Sequence, residues 1–234
     1  MLLLLGFLVF AACDSLPGKP TEADRPLRPD QVVDFAVLYG ENCAGCHGAD
    51  GKLGAARPLN DAVYLTVIGA DRLRQIAADG VANSLMPGFG PAAGGSLTDQ
   101  QVDLVVSGMI SRWGSSDAVP SARPAYAAPA PGDAPRGATV YAAACAGCHG
   151  VDGAGGKKGG SIVDSSYLAL VSEQALRSAV LFGRPDLGMP DWRGSDGRPL
   201  SEQDVADVVA WMMARRVQFP GQPYSASAAS RPSG

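Results

Sequence analysis

The sequence predicts an all-α fold built of two small helical units in tandem. Three observations predict it. The hexapeptide CAGCHG occurs twice, at 43–48 and at 145–150. The flanking residues then align with a single residue gained in a glycine-rich loop: Asp61 with Asp164, Tyr64 with Tyr167, Leu73-Arg74 with Leu176-Arg177, Gly80 with Gly183, Met86-Pro87 with Met189-Pro190, and Leu97 with Leu200. One indel across so long a repeat marks duplication of a whole folding unit. Finally, no segment shows the alternation of a strand, whereas helix-start signals recur at matching positions.

The chain begins with residues 1–12, an uncharged apolar run that ends Phe10-Ala11-Ala12-Cys13. Spanning a bilayer takes roughly 20 residues, so this run has the length of a secretory signal rather than of a membrane helix. Small residues before a cysteine resemble the processing site of bacterial lipoproteins, which implies that Cys13 is lipidated and becomes the new N-terminus. The competing readings are a plain signal cleaved nearby and a truncated membrane helix. Each of them puts the bulk of the protein on the periplasmic side of the cell membrane.

Residues 13–30 are polar, contain Pro17, Pro20, Pro26 and Pro29, and read as a tether. The first unit covers 31–114. Residues 115–135 form a Pro/Ala-rich linker, extended and semi-stiff. The second unit covers 136–217, and 218–234 reads as a disordered tail. Within the units, short helices are expected at 31–43, 62–68 and 71–79, and at 136–145, 165–171 and 173–182. Thr98 and Ser201 open the last helix of each unit, with Gln101 and Asp204 three residues on, as in a capping box.

The chain has 234 residues and a formal charge of −4, and lacks the clustered basic residues that nucleic-acid binding requires. Five Cys and two His are the informative residues. Four Cys and both His fall in the repeated motif, as Cys43, Cys46 and His47, and as Cys145, Cys148 and His149. Two Cys three residues apart can each add to one vinyl group of a haem. The adjacent His then projects under the same macrocycle as the proximal iron ligand. A redox disulfide with this spacing normally sits beside a βαβ pattern, which is absent here. A zinc site takes four N/S ligands, but zinc ribbons rarely place His directly after the second Cys. Two covalently bound haem c groups are therefore expected.

With both His used proximally, the other axial ligand falls to Met. Of the six, Met1 is in the leader, and Met109, Met212 and Met213 lie inside the last helices, where packing is the simpler role. Met86 and Met189 remain, each in a loop and each followed by Pro. They are read as the second axial ligands; the competing reading is two loop methionines that cap the pocket. His plus Met fills both axial positions, the arrangement of electron carriers, and Met raises the potential.

These residues resemble class I cytochrome c domains, twice over, covering everything except the termini and linker. The resemblance implies two tandem cytochrome c-like helical domains, each wrapped around a covalently bound haem, with first and last helices crossing. The family has a Gly eight residues before the first Cys and an aromatic residue opposite it. Gly137 and Trp211 match this in the second unit, while Phe35 and Gly108 exchange the two sizes in the first. The resemblance further implies a Pro58 carbonyl accepting from His47, with Ser161 at the aligned place, and haem-pocket walls at Tyr39, Tyr141, Phe89 and Trp192.

The expected function is single-electron transfer between membrane respiratory or photosynthetic partners. The donor would be a quinol-oxidising complex or dehydrogenase, and the acceptor an oxidase, reductase or photosynthetic centre. The alternatives are a fixed cytochrome subunit of a larger complex and a haem enzyme such as a peroxidase, which would need an open iron site.

Overall fold

The computed structural model describes residues 18, 21, 24–82, 84–115, 117–120, 123–195, 197–217 and 219–221. Cys13, the apolar run before it and the tail 222–234 lie outside the described residues. The chain divides into two compact units, 1–33 and 34–234. In the first, Pro29–Gln31 form one 3₁₀ turn, closed by the Gln31 side chain on the Arg28 amide. Both motif-bearing halves lie in the second.

Among the described residues the structure is helical, with one isolated antiparallel bridge, Arg184 to Met189. The first half holds α1 (Phe35–Asn42), α2 (Ala44–His47), α3 (Ala62–Asp79) and α4 (Asp99–Trp113). The second holds α5 (Ala134–Ala144), α6 (Ala146–His149), α7 (Ser165–Leu170), α8 (Glu173–Phe182) and α9 (Glu202–Met213). No helix among the described residues is long and apolar enough to cross a membrane.

Local chemistry moves three expected boundaries. The helix expected from residue 31 starts at Phe35, because the Asp34 carboxylate accepts from the Val37 amide and caps it there. The helix expected from residue 136 starts at Ala134. Asp133 caps it, and Pro135 sits in the first turn, where its missing N–H costs nothing. The two helices expected over 62–68 and 71–79 run into each other as α3, with Gly69 alone (φ 74°) making the kink. Asp61 caps α3 by accepting from the Val63 and Tyr64 amides, and Asp164 caps α7 by accepting from Tyr167. Thr98 and Ser201 form complete capping boxes with Gln101 and Asp204.

In each half the first and last helices pack against each other, α1 on α4 and α5 on α9. The size exchange is visible at both crossings. A Cβ on Gly108 would lie 2.1 Å from the Phe35 ring, and one on Gly137 would lie 2.0 Å from the Asp207 carbonyl and 2.8 Å from Trp211 Cβ. Phe35 thus covers Gly108, and Trp211 lies over Gly137. The exchange is not the whole compensation. Trp113, five residues beyond Gly108, turns back to stand edge-on to both Phe35 and Tyr39. Its ring tip approaches Gly51 as the Trp211 tip approaches Gly153. Tyr39 therefore meets a perpendicular indole where Tyr141 meets a stacked one, 4.2 Å between centroids.

The linker is not loose. Arg177, buried in α8, donates to the carbonyls of Ala125 and Tyr126 and pairs with Glu202. Gln174 adds a bond to the Tyr126 carbonyl, Glu202 accepts from the Ala125 amide, and Arg193 donates to the Ala118 carbonyl. The two halves also touch directly. Tyr64 meets Phe182 edge-on at 5.2 Å, and Arg184 donates to the Gly54 carbonyl. The Leu53 amide donates to Asp186 at 3.0 Å.

Candidate functional site: two Cys-x-x-Cys-His loops

Each motif is a turn of helix, α2 or α6, that follows the preceding helix after a one-residue break at the first Cys. The break re-aims the chain so that both Cys and the His fall on one short turn. No disulfide joins either pair of thiols; Cys43 and Cys145 are half-buried, and Cys46 and Cys148 are exposed. Burial, with the neighbouring Cys as a lesser cause, pushes Cys43 and Cys145 up to about 11, so both stay protonated at neutral pH. Among the described residues no group of three or more His, Cys, Asp or Glu converges as a metal cluster would.

The histidines carry the clearest signal. His47 Nδ1 lies 2.6 Å from the Arg57 carbonyl, and its Nε2 is buried without any partner. Burial also pushes its pKa down, keeping the imidazole neutral. A neutral ring with one nitrogen tied to a carbonyl and the other buried without a protein partner has the chemistry that a haem-ligating histidine requires. His149 Nδ1 meets the Gly160 carbonyl at 2.8 Å. Arg57 and Gly160 are equivalent in the repeat, and each stands one residue before the position expected. The carbonyl that orients His47 therefore belongs to Arg57, not to Pro58. Pro58 is fully buried, and a proline biases the residue before it toward extended backbone.

The expected pocket residues occupy equivalent places in the two halves. Tyr39 Oη donates to the Gly48 carbonyl at 3.0 Å, and Tyr141 Oη does the same to Gly150. Each phenol ties its helix to the residue directly after the His. The Phe89 amide donates to the Ala77 carbonyl and its carbonyl accepts from Leu97; Trp192 does the same with Leu181 and Leu200. Met86 and Met189 sit half-buried in the loops between. These loops are clamped at glycines. A Cβ on Gly80 would fall 2.7 Å from the Met86 carbonyl, and one on Gly183 would fall 2.4 Å from that of Met189. Both glycines have positive φ, which closes the preceding helix. Met189 further exchanges two backbone bonds with Arg184, and the Met86 amide donates to Ser84 Oγ. Met109 and Met212 are buried core residues, and Met213 is half-buried.

The residues fit haem c in both halves: paired free thiols, a histidine whose Nδ1 meets a backbone carbonyl, and a backbone-fixed Met-Pro loop. Two residues were missed. Trp113 carried no family signal, because it stands outside the aligned position. Arg57 was hidden behind its neighbour Pro58.

Fold and site together define a tandem di-haem c-type cytochrome of class I, with two covalently attached haems. Residues 26–107 and 132–212 both match the family described as cytochrome C oxidase, cbb3-type, subunit III, and the chain belongs to that family. The cbb3-type cytochrome c oxidase subunit CcoP of Cereibacter sphaeroides is 29% identical over 191 residues, covering 76% of this chain and 58% of its own length. The oxidase subunit FixP of Azorhizobium caulinodans is 28% identical over 184 residues, covering 76% and 59%. The chain thus spans somewhat more than half the length of these curated relatives. Among solved structures, a chain of the Kuenenia stuttgartiensis reducing HAO-like protein complex is similar at 16% identity and a TM-score of 0.46, covering 82% of this chain and all of the other.

Proposed function

We propose that this chain is the electron-transferring portion of a cbb3-type oxidase subunit, fixed in its complex, passing single electrons inward from an outer-side donor. The observation that carries electron transfer rather than catalysis is the pairing in each half of a buttressed histidine with a glycine-clamped Met-Pro loop. His47 and Met86 would hold one haem iron and His149 and Met189 the other, which would leave neither iron a position open for substrate. Bound haem supplies a one-electron couple. The protein's share is to hold it still: the Arg57 and Gly160 carbonyls fix the imidazoles, Tyr39 and Tyr141 fix the loops that follow, and the clamped backbone keeps each thioether in register.

The fixed-subunit reading is supported by the family match across both halves, by the subunit names of the relatives, and by the packed inter-half contact. The competing reading is a shuttle tethered through lipid on Cys13, linking a quinol-oxidising complex or dehydrogenase to an oxidase, reductase or photosynthetic centre. A peroxidase would need an open iron, which Met86 and Met189 as ligands would deny it. The test is affinity purification of the tagged chain from gently solubilised, salt-washed membranes. A subunit brings an oxygen-consuming oxidase with it in fixed ratio. A chain recovered alone, with oxygen uptake intact in membranes lacking it, would refute the subunit reading.

A further inference from the structure

The residue whose carbonyl meets the histidine ring carries a cationic side chain in the first half and none in the second. Arg57, whose carbonyl orients His47, packs its guanidinium against the edge-on ring pair of Tyr64 and Phe182, 5.4 Å from the centroid of Tyr64 and 5.1 Å from that of Phe182. Phe182 belongs to the other half of the protein. Arg57 Nη1 is buried without a partner, and no carboxylate among the described residues lies within ion-pair distance of the side chain. Burial pushes its pKa down, Asp61 attracts it at longer range, and Arg184 adds a second positive field. An arginine keeps its proton even so. At the equivalent place in the second half stands Gly160, which has no side chain, and the nearby cations Lys157 and Lys158 are exposed. The carbonyl bond to the imidazole is common to both sites, so it does not distinguish them.

We propose that Arg57 sets the order of the two reduction potentials, making the His47–Met86 iron the higher-potential centre. A ferric haem carries one positive charge more than a ferrous one. A cation held in low-dielectric surroundings beside it disfavours the ferric state and raises the potential. Solvated lysines at the second site are screened and do far less. His47 is 8% exposed, whereas His149 is half-exposed, and stronger burial of the first site acts in the same direction. Electrons accepted at the second haem therefore run downhill to the first. Because Phe182 of the other half helps to cover the guanidinium, the ordering depends on the two halves being docked.

The experiment is a spectroelectrochemical titration of the purified two-haem protein, resolved into two waves. Met189→His labels the second haem, since imidazole in place of Met lowers its potential; the lower wave is expected to fall and the upper one to stay. Arg57→Gln is expected to lower the upper wave so that the equilibrium constant between the haems shifts about tenfold, which is about 59 mV for a one-electron couple. Arg57→Lys, which keeps the charge without the planar stack, is expected to hold the upper wave near its original position. A fall of the upper wave in Met189→His reverses the order and overturns the proposal. So does an Arg57→Gln protein with both waves unmoved, or an Arg57→Lys protein that shifts as far as Arg57→Gln, which would assign the effect to packing. The titration uses the protein without any partner, so its failure leaves the oxidase-subunit reading standing, and failure of co-purification leaves this ordering untouched.

Discussion

Gly137→Ala tests the helix crossing that frames the second haem site. Gly-to-Ala in a helix interior ordinarily stabilises, by about 0.5–1 kcal/mol. Here the added methyl would fall 2.0 Å from the Asp207 carbonyl oxygen, 2.6 Å from its carbon and 2.8 Å from Trp211 Cβ. All three are backbone or near-backbone atoms that cannot rotate away, so α5 and α9 must separate by more than an ångström. Overpacking of this kind costs about 1–3 kcal/mol. The separation also loosens the Tyr141–Trp211 stack, a contact worth about 0.5–1.5 kcal/mol. After subtracting the propensity gain, the expected net loss is about 1–3 kcal/mol. For a chain of this size that is a fall in Tm of about 3–10 °C. The assay is thermal unfolding of the haem-loaded protein followed by far-ultraviolet circular dichroism. Gly40→Ala is the matched control, in α1, where a Cβ would meet nothing within 4 Å; its Tm should hold or rise slightly. A Gly137→Ala protein as stable as the parent, or a Gly40→Ala protein that loses as much, would refute the close-contact reasoning.

Other outcomes follow from the same structure. Arg177→Met removes the donor that holds the Ala125 and Tyr126 carbonyls and leaves Glu202 unpaired. Leaving the two carbonyls without their buried donor costs about 1–3 kcal/mol, and limited proteolysis should then cut within 115–133. Bonding to Arg184, with help from the Leu53 amide, holds the Asp186 carboxyl down at about 2. A depressed folded-state value gives stability that is complete above the unfolded carboxylate range and lost as pH falls through about 2. Acid unfolding should thus show a loss between about pH 4 and pH 2 that Asp186→Asn abolishes. In the oxidised protein, the weak near-infrared charge-transfer band of Met-ligated ferric haem should amount to two equivalents. Met86→Ala and Met189→Ala should each remove one, and an unchanged band in either would return that Met to a merely pocket-capping role.

The sequence made the covalent chemistry and its periodicity legible. The repeated Cys-Ala-Gly-Cys-His, the aligned Met-Pro pairs and the cap residues Thr98 and Ser201 each act through their nearest neighbours, so spacing alone exposes them. What stayed hidden acts through backbone or over long range. A carbonyl oxygen has no residue signature, so the acceptor for His47 was assigned to Pro58 when it belongs to the preceding Arg57. Trp113 compensates for Gly108 from more than one helical turn away, and only the packed helices show that its ring reaches Tyr39. The Tyr64–Phe182 and Arg184–Gly54 contacts join residues more than a hundred positions apart, beyond the reach of any local pattern.

The pinned linker has a consequence for kinetics. A free chain of about 20 residues would have ends about 25 Å apart on average and fluctuating widely. Two haem modules on such a leash would exchange electrons at a rate governed by how often they collide, and thickening the solvent would slow them. Here Arg177, Gln174, Glu202 and Arg193 fasten the segment along its length. It works as a strut rather than a leash. The internal hop is then a fixed-distance event, indifferent to viscosity, and only the meeting with an outside donor feels the surrounding medium.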